Sequence, residues 1–280
     1  MSQPRTIIAL PFVVAGLLAA PSLAGPGRSS SSIAACIRDP GCHRTFVEAH
    51  RVKGLGAPEN SRAALTRAVE AGVPLVKIDL RVSKDGQLFV LHDRSLERAT
   101  AMRRRIDDVP SSELIQVKLT NGETVPRFEE LYAIARGHVV LVLAFKVDIV
   151  ERVADWIHAH GSFDDVVFFV NTGEEMQTAA LAKQRYPSML VMVRLLDTRV
   201  TVDSTRAVFG RLPEILHTDQ LSRSQVARLQ GEGVKVYMSA VRAEGYIQPF
   251  KYFWVRFILR AKPNFVQTDE PLALMRRVAD

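Results

Sequence analysis

Two histidines, His50 and His92, are the residues of this chain whose positions best suit proton-transfer chemistry. Each ends a short apolar run that is predicted to be a β-strand. A polar ring at the end of a buried strand is costly unless it has partners. For either histidine alone, a hydrogen-bonded core imidazole would be the better interpretation. Two of them in a pattern that also holds Arg51, Asp79 and Asp93 favour an active site.

The elements that must position these residues alternate between strand and helix from residue 46 to residue 278, which predicts a parallel sheet. The predicted strands are Phe46–His50, Leu75–Val82, Leu88–His92, Val139–Lys146, Val166–Asn171, Met189–Leu195, Glu214–Thr218, Lys235–Ala240 and Asn264–Thr268. The predicted helices are Ser61–Ala71, Arg127–Ala135, Ile149–His160, Thr172–Tyr186, Ser222–Glu232 and Pro271–Val278. The carboxyl ends of such strands form one face, where we expect the two histidines to meet.

The alternation predicts an α/β fold, a (β/α)8 barrel over residues 46–280. Nine predicted strands compete for eight places, and Lys84-Asp85-Gly86 is a hairpin signal, so we expect one strand there to lie outside the regular alternation. An open doubly wound sheet is the alternative. The chain has no glycine-rich phosphate loop of the GxGxxG or P-loop type to support that alternative.

Several motifs occur in the order typical of one enzyme family. They are His50-Arg51, Pro58-Glu59-Asn60-Ser61, Ser83-Lys84-Asp85-Gly86, Val90-Leu91-His92-Asp93, Val125–Leu131 and Thr268-Asp269-Glu270-Pro271. Together they resemble the glycerophosphodiester phosphodiesterases, whose barrels are of the phospholipase C-like type, over roughly residues 46–275. Val52 stands where that family has the glycine of His-Arg-Gly.

The resemblance implies a role for each matching residue. His50 and His92 would act as general acid and general base. The phosphate would be bound by Arg51, with Lys77 and Lys146 adding positive charge at the barrel mouth. Residues expected to support the site are Glu59, Asp79 and Asp93.

The family's metal ligands are mostly absent from this chain. The family binds its cation with the Glu and Asp of Glu-x-Asp and with the Glu of a later Glu-x-Lys, but the corresponding segments are Lys77-Ile78-Asp79 and Ala144-Phe145-Lys146. We therefore expect no tightly bound metal, although a weak calcium or magnesium site on Glu59 and Asp79 stays open. We expect the Lys77 ammonium to take the cation's place, paired to Asp79.

The amino terminus predicts export from the cytoplasm. Residues 1–24 have the charge, apolar run and small-residue cleavage site of a signal peptide, and an uncleaved anchor is the alternative. Residues 25–45 follow as a leader, predicted to be flexible over residues 25–35. Cys36 and Cys42 are expected to form a disulfide in a periplasmic or extracellular compartment.

The formal net charge of +7 is spread along the chain, which disfavours a nucleic-acid binder and fits an enzyme with an anionic substrate. The aromatic and basic segment Tyr246–Lys262 predicts an outer barrel helix. Contact with a membrane surface is the alternative for that segment. The sequence does not predict an oligomeric state.

Three functions remain after these arguments. The first is a secreted phosphodiesterase that acts on a small or lipid-derived phosphodiester through His50 and His92. The second is a non-catalytic protein that binds a phosphodiester or a protein partner. The third is a lyase or transferase that forms a cyclic phosphate or moves a phosphoryl group on the same site.

Overall fold

The protein forms a closed barrel of parallel strands surrounded by helices. This computed structural model describes residues 29–195, 200–218, 221–241 and 250–279. The strands are β1 Phe46–Ala49, β2 Leu75–Val82, β3 Leu88–Val90, β4 Val140–Phe145, β5 Val166–Val170, β6 Leu190–Arg194, β7 Ile215–His217, β8 Lys235–Ser239 and β9 Phe265–Thr268. The helices are α1 Ser30–Arg38, α2 Arg62–Glu70, α3 Ser111–Leu114, α4 Phe128–Ala135, α5 Val150–His160, α6 Gly173–Arg185, α7 Val202–Phe209, α8 Arg223–Gly231, α9 Phe250–Arg260 and α10 Pro271–Ala279.

Eight of the strands close the barrel. Their order is β1-β9-β8-β7-β6-β5-β4-β2, and β1 also pairs in parallel with β2, so the ring is complete. β3 pairs antiparallel with β2, with Leu80 opposite Val90, and lies outside the ring. The predicted barrel, the predicted hairpin and the nine predicted strands are therefore confirmed, and strand ends differ by one or two residues.

Side chains alternate between two cores along each barrel strand. Outward-facing residues such as Val76 and Leu141 pack against the helices in one large buried cluster. Inward-facing residues such as Val142, Phe169 and Tyr237 fill the lower part of the barrel. Apolar side chains fill the barrel at the amino-terminal ends of its strands. The polar side chains inside the barrel lie at the carboxyl ends of the strands, where they contact solvent.

Helix α1 corrects one sequence-based prediction. Residues 30–35 are helical rather than flexible, and Ser29 caps the helix by accepting a hydrogen bond from the amide of Ser32. Ile33 and Ile37 are buried against the amino-terminal end of the barrel. The run of serines concealed this spacing of one helical turn between two isoleucines.

A disulfide and two hydrogen bonds from Lys235 hold the loop after α1 at the amino-terminal end of the barrel. Cys36 and Cys42 form the predicted disulfide, with a Cα–Cα distance of 5.4 Å. Lys235 of β8 donates through Nζ to the carbonyl oxygens of Asp39 and Cys42, at 2.6 and 2.7 Å. The disulfide loop thus caps a buried lysine. The predicted signal peptide, residues 1–24, lies outside the described residues.

Helix α9 is an outer barrel helix, as predicted. Val255 and Ile258 are buried in the core between the helices and the sheet. Within the described residues, no helix has the length and apolar character needed to span a bilayer.

Candidate active site

A cavity of about 620 Å³ opens at the carboxyl ends of the barrel strands. Both predicted catalytic histidines line it. The other lining residues are Arg51, Lys77, Phe145, Lys146, Val147, Asp148, Asn171, Thr172, Glu174, Glu175, Arg194, His217, Ser239, Val241 and Gln267. All three predicted phosphate-binding residues line this cavity, whereas the predicted supporting carboxylates Glu59, Asp79 and Asp93 do not line it.

A tight turn places His50 and Arg51 at the cavity. His50 begins a 3-10 turn, and both Arg51 and Val52 have positive φ, 52° and 57°. Arg51 accepts a hydrogen bond through its carbonyl from the amide of Asn60, which holds the turn closed. The backbone at Val52 favours glycine and is strained for a β-branched residue. Since Val52 is fully buried, packing offsets part of that strain.

Asp269, from the loop after β9, orients the His50 ring. His50 Nδ1 lies 2.8 Å from Asp269 Oδ1. Gly54 permits this approach, because a side chain at that position would clash with the Asp269 carbonyl oxygen. Burial lowers the pKa of His50 below its ordinary 6.5, and the hydrogen bond to Asp269 opposes part of that change.

His92, which follows β3, is also oriented by a carboxylate at Nδ1. Its Nδ1 lies 2.6 Å from Asp93 Oδ1, and its carbonyl accepts hydrogen bonds from the Arg81 guanidinium. Burial lowers the pKa of His92, again partly opposed by its carboxylate partner. The hydrogen bond from Arg98 lowers the pKa of Asp93 to about 2, so this carboxylate is ionised.

Glu59 connects the two histidine supports. Arg98 donates to Glu59 Oε1 at 2.5 Å and to Asp93, and Lys53 donates to Asp269 at 3.2 Å while lying 3.8 Å from Glu59. A chain of alternating charges therefore runs from Asp269 to Asp93. Such a network restrains both imidazoles with respect to the barrel.

The cationic side of the cavity differs from the prediction in one respect. Asp79 is paired with Lys146, whose Nζ lies 3.0 Å from Asp79 Oδ1, and not with Lys77. The Lys77 ammonium lies 4.6 Å from the centre of the Phe169 ring. Lys77 and Asp79 do share a face of β2, but Lys146 reaches Asp79 from the end of the neighbouring strand β4. Burial lowers the pKa of Lys77, while Glu48 and Asp79 raise it.

The comparisons with known proteins agree with this geometry. Residues 50–160 match the family described as Glycerophosphoryl diester phosphodiesterase family. A glycerophosphodiester phosphodiesterase of Caldanaerobacter subterraneus is 31% identical over 96 residues, which are 32% of this chain and 40% of that protein. Over residues 50–160, this chain is similar to the glycerophosphoryl diester phosphodiesterase family.

Two solved phosphodiesterase structures show the same fold. A glycerophosphoryl diester phosphodiesterase from Parabacteroides distasonis superposes with a TM-score of 0.73 at 20% identity, covering 89% of this chain and 91% of that one. An Oleispira antarctica phosphodiesterase, solved with the product sn-glycerol-3-phosphate, superposes with a TM-score of 0.65 at 21% identity, covering 85% and 98%. The sequence matches to two of the first curated relatives span about two fifths of their lengths.

The residues at the family's metal positions do not fit a divalent cation in this chain. Asp79, the one carboxylate left of the three, is neutralised by Lys146 and accepts a hydrogen bond from Asn60 at 3.1 Å. Burial favours the neutral acid, but Lys146 and Lys77 outweigh it and the pKa of Asp79 is lowered. In the described part of the chain, no three His, Cys, Asp or Glu side chains are grouped as metal ligands.

Three contributors to the site were not predicted as site residues. Asp269 belongs to a quoted family motif, and its position after a strand was the available signal. Arg194 ends strand β6 on the same face as Met192, so strand alternation could have identified it. Glu48 lies below the cavity and has one oxygen without a hydrogen-bond partner in the described structure. Glu48 could have been recognised because it is an acidic residue within an apolar predicted strand.

Proposed function

We propose that this chain is a phosphoric diester hydrolase that acts on glycerophosphodiesters through His50 and His92 without a bound divalent cation. One observation carries the proposal. Each imidazole is held at Nδ1 by a carboxylate, and both rings face one cavity that also contains Arg51, Lys77 and Lys146.

The two carboxylates determine what the rings can do. Burial favours neutral Asp269, but the hydrogen bond from His50 and the nearby Lys53 ammonium lower its pKa, so it is ionised. An ionised carboxylate only accepts, so Nδ1 of each histidine carries the proton and Nε2 is left with a lone pair. Because the pKa of each imidazole is lowered, both rings are neutral near pH 7 in the free protein.

Substrate supplies the asymmetry that acid–base catalysis needs. An anionic phosphodiester beside an imidazole favours its protonated form, so one ring takes up a proton when the diester binds. The other ring removes a proton from an attacking water molecule, a new oxygen–phosphorus bond forms, and the bond to the leaving alcohol breaks. The protonated ring gives its proton to that alcohol oxygen. Each transfer contributes about 10²- to 10⁴-fold.

The cationic residues stabilise charge on the phosphoryl oxygens. The Arg51 guanidinium matches two phosphate oxygens, and the Lys77 ammonium supplies a fixed charge at the cavity floor. Lys146 is already paired with Asp79, so it contributes less net charge. This arrangement gives the electrostatic support that a divalent cation would give, with less charge at one point.

The experiment measures release of alcohol from glycerophosphocholine and glycerophosphoethanolamine by the full-length chain with and without chelator. His50→Ala and His92→Ala should each lose about 10²-fold or more in kcat, while the control His43→Ala, at an exposed position, should be unaffected. Activity that requires added metal would contradict the metal-free proposal. Phosphorus NMR of the product separates hydrolysis from cyclic phosphate formation. Tight binding without turnover would favour a non-catalytic role.

A further inference from the structure

Helix α9 exposes three aromatic side chains, Phe253, Trp254 and Phe257, which we call the aromatic patch. Their exposed fractions are 61%, 41% and 51%. The rings contact one another edge to face, with centroids 6.0 Å apart for Phe253–Trp254 and 5.8 Å apart for Trp254–Phe257. Val255, Ile258 and Ala261 supply the buried side of the helix. Among the residues that the structure describes, the aromatic face is thus on the solvent side of α9. A contiguous apolar surface of this kind indicates an interaction site.

The charge around the aromatic patch is entirely positive in sequence. Residues 245–268 contain Lys251, Arg256, Arg260 and Lys262 and no acidic residue. Arg256 and Arg260 are exposed and one helical turn apart, so they flank Phe253 and Phe257 on the solvent side of α9. A helix with exposed aromatic residues and flanking basic residues is typical of binding at an anionic lipid surface.

The aromatic patch lies at the same end of the barrel as the cavity. The helix follows β8, whose last residue Ser239 lines the cavity, and a helix that follows a barrel strand starts at the strand's carboxyl end. The patch lies in the first two turns of α9. Two other exposed apolar residues are on the same end of the barrel: Val147 lines the cavity after β4, and Leu272 follows β9.

We propose that the aromatic patch docks the mouth of the barrel on an anionic phospholipid bilayer. Aromatic rings enter the interface between head groups and acyl chains, while Arg256 and Arg260 contact lipid phosphates. Docking rests on α9 alone. Its consequence, access of the cavity to phosphodiesters derived from lipids, rests on the proposed function.

The test uses the full chain in oxidised form and vesicles of phosphatidylglycerol with phosphatidylcholine, beside vesicles of phosphatidylcholine alone. The chain has two tryptophans, so the Trp156→Phe variant leaves Trp254 as the single reporter. We expect cosedimentation with the anionic vesicles, a blue shift of Trp254 emission, and weakening by salt. The double variant F253S/F257S should bind about tenfold or more weakly, because each lost ring removes apolar area from the interface. R256E/R260E should lose the preference for anionic vesicles.

The matched control is Leu181→Ser, on α6, which removes a side chain that is 65% exposed and far from α9 in sequence. It should bind vesicles as the unaltered chain does. Equal binding by F253S/F257S and the unaltered chain would overturn the proposal, as would no vesicle binding at all. A dimer in light scattering that F253S/F257S abolishes, without vesicle binding, would assign the patch to a second copy instead.

Turnover of soluble glycerophosphocholine separates this proposal from the proposed function. F253S/F257S should retain it, because the aromatic patch lies outside the cavity. If the unaltered chain binds vesicles but does not cleave the soluble diester, the hydrolase proposal fails and the docking proposal stands.

Discussion

Glu48 should make the stability of the protein depend on pH. It lies in β1, fully buried, and its Oε1 accepts hydrogen bonds from Tyr237 at 2.7 Å and Gln267 at 3.0 Å. Burial raises the pKa of Glu48 from 4.5 to about 7, although Lys77 and the two hydrogen bonds oppose the change. The folded protein therefore holds a proton on Glu48 at pH values where the unfolded chain has released it.

Protonation of Glu48 stabilises the folded protein, so the free energy of unfolding falls as pH rises. Because the folded pKa is the higher one, the stabilisation is complete below pH 4.5 and is lost as pH rises toward and through 7. With pKa values of 4.5 unfolded and about 7 folded, the loss between pH 5 and pH 8 is on the order of 2–3 kcal/mol. Glu48→Gln keeps the size of the side chain and an accepting oxygen but cannot titrate.

The assay is urea unfolding at several pH values between 5 and 8. The unaltered chain should lose on the order of 2–3 kcal/mol more than Glu48→Gln over this interval. His50 and His92 titrate in both proteins, so their effect cancels in the difference. Parallel pH dependences would refute the argument, because they would show that Glu48 is ionised throughout and paired to Lys77.

Three further results are expected. Asp269→Asn should lower the pKa of His50 further, so kcat should fall by about 10²-fold and the limb of the pH–rate profile that reports His50 should move to lower pH. Arg194→Ala should raise KM by about tenfold with little change in kcat. The Arg194 guanidinium lines the cavity and has no carboxylate within 4 Å among the described residues, so it is available to the diester. An unchanged KM would contradict that role. C36S/C42S should lower the unfolding free energy by about 2 kcal/mol, the value expected for so short a loop, and equal urea midpoints would show that the loop needs no bond.

The barrel could be predicted because its strands carry a strong local signal. Short β-branched runs separated by helical patterns identified every strand within one or two residues. Three helices were not predicted. α3, Ser111–Leu114, is a single turn and is too short to show a helical period. The run of serines in α1 is not typical of a helix. Its two buried isoleucines are explained only by their packing against the end of the barrel. α7, Val202–Phe209, is short and polar, and it has one buried residue, Thr205.

The candidate site was predictable in its composition but not in its pairings. His50 and His92 could be identified from strand ends, yet the partner of His50 is 219 residues away in sequence. Asp79 was expected to pair with Lys77, two residues along the same strand, and pairs with Lys146 of the adjacent strand. Sequence spacing gives the face on which a side chain lies, but the stagger of neighbouring strands determines which side chains meet.

The buried charges show why a lysine is tolerated at position 77. An unpaired ammonium inside a barrel would be costly, and a carboxylate nearby reduces that cost. Here Glu48 and Asp79 both attract Lys77, while Asp79 is also held by Lys146. An ionised Glu48 therefore reduces the cost of burying Lys77, and the two residues must be considered together.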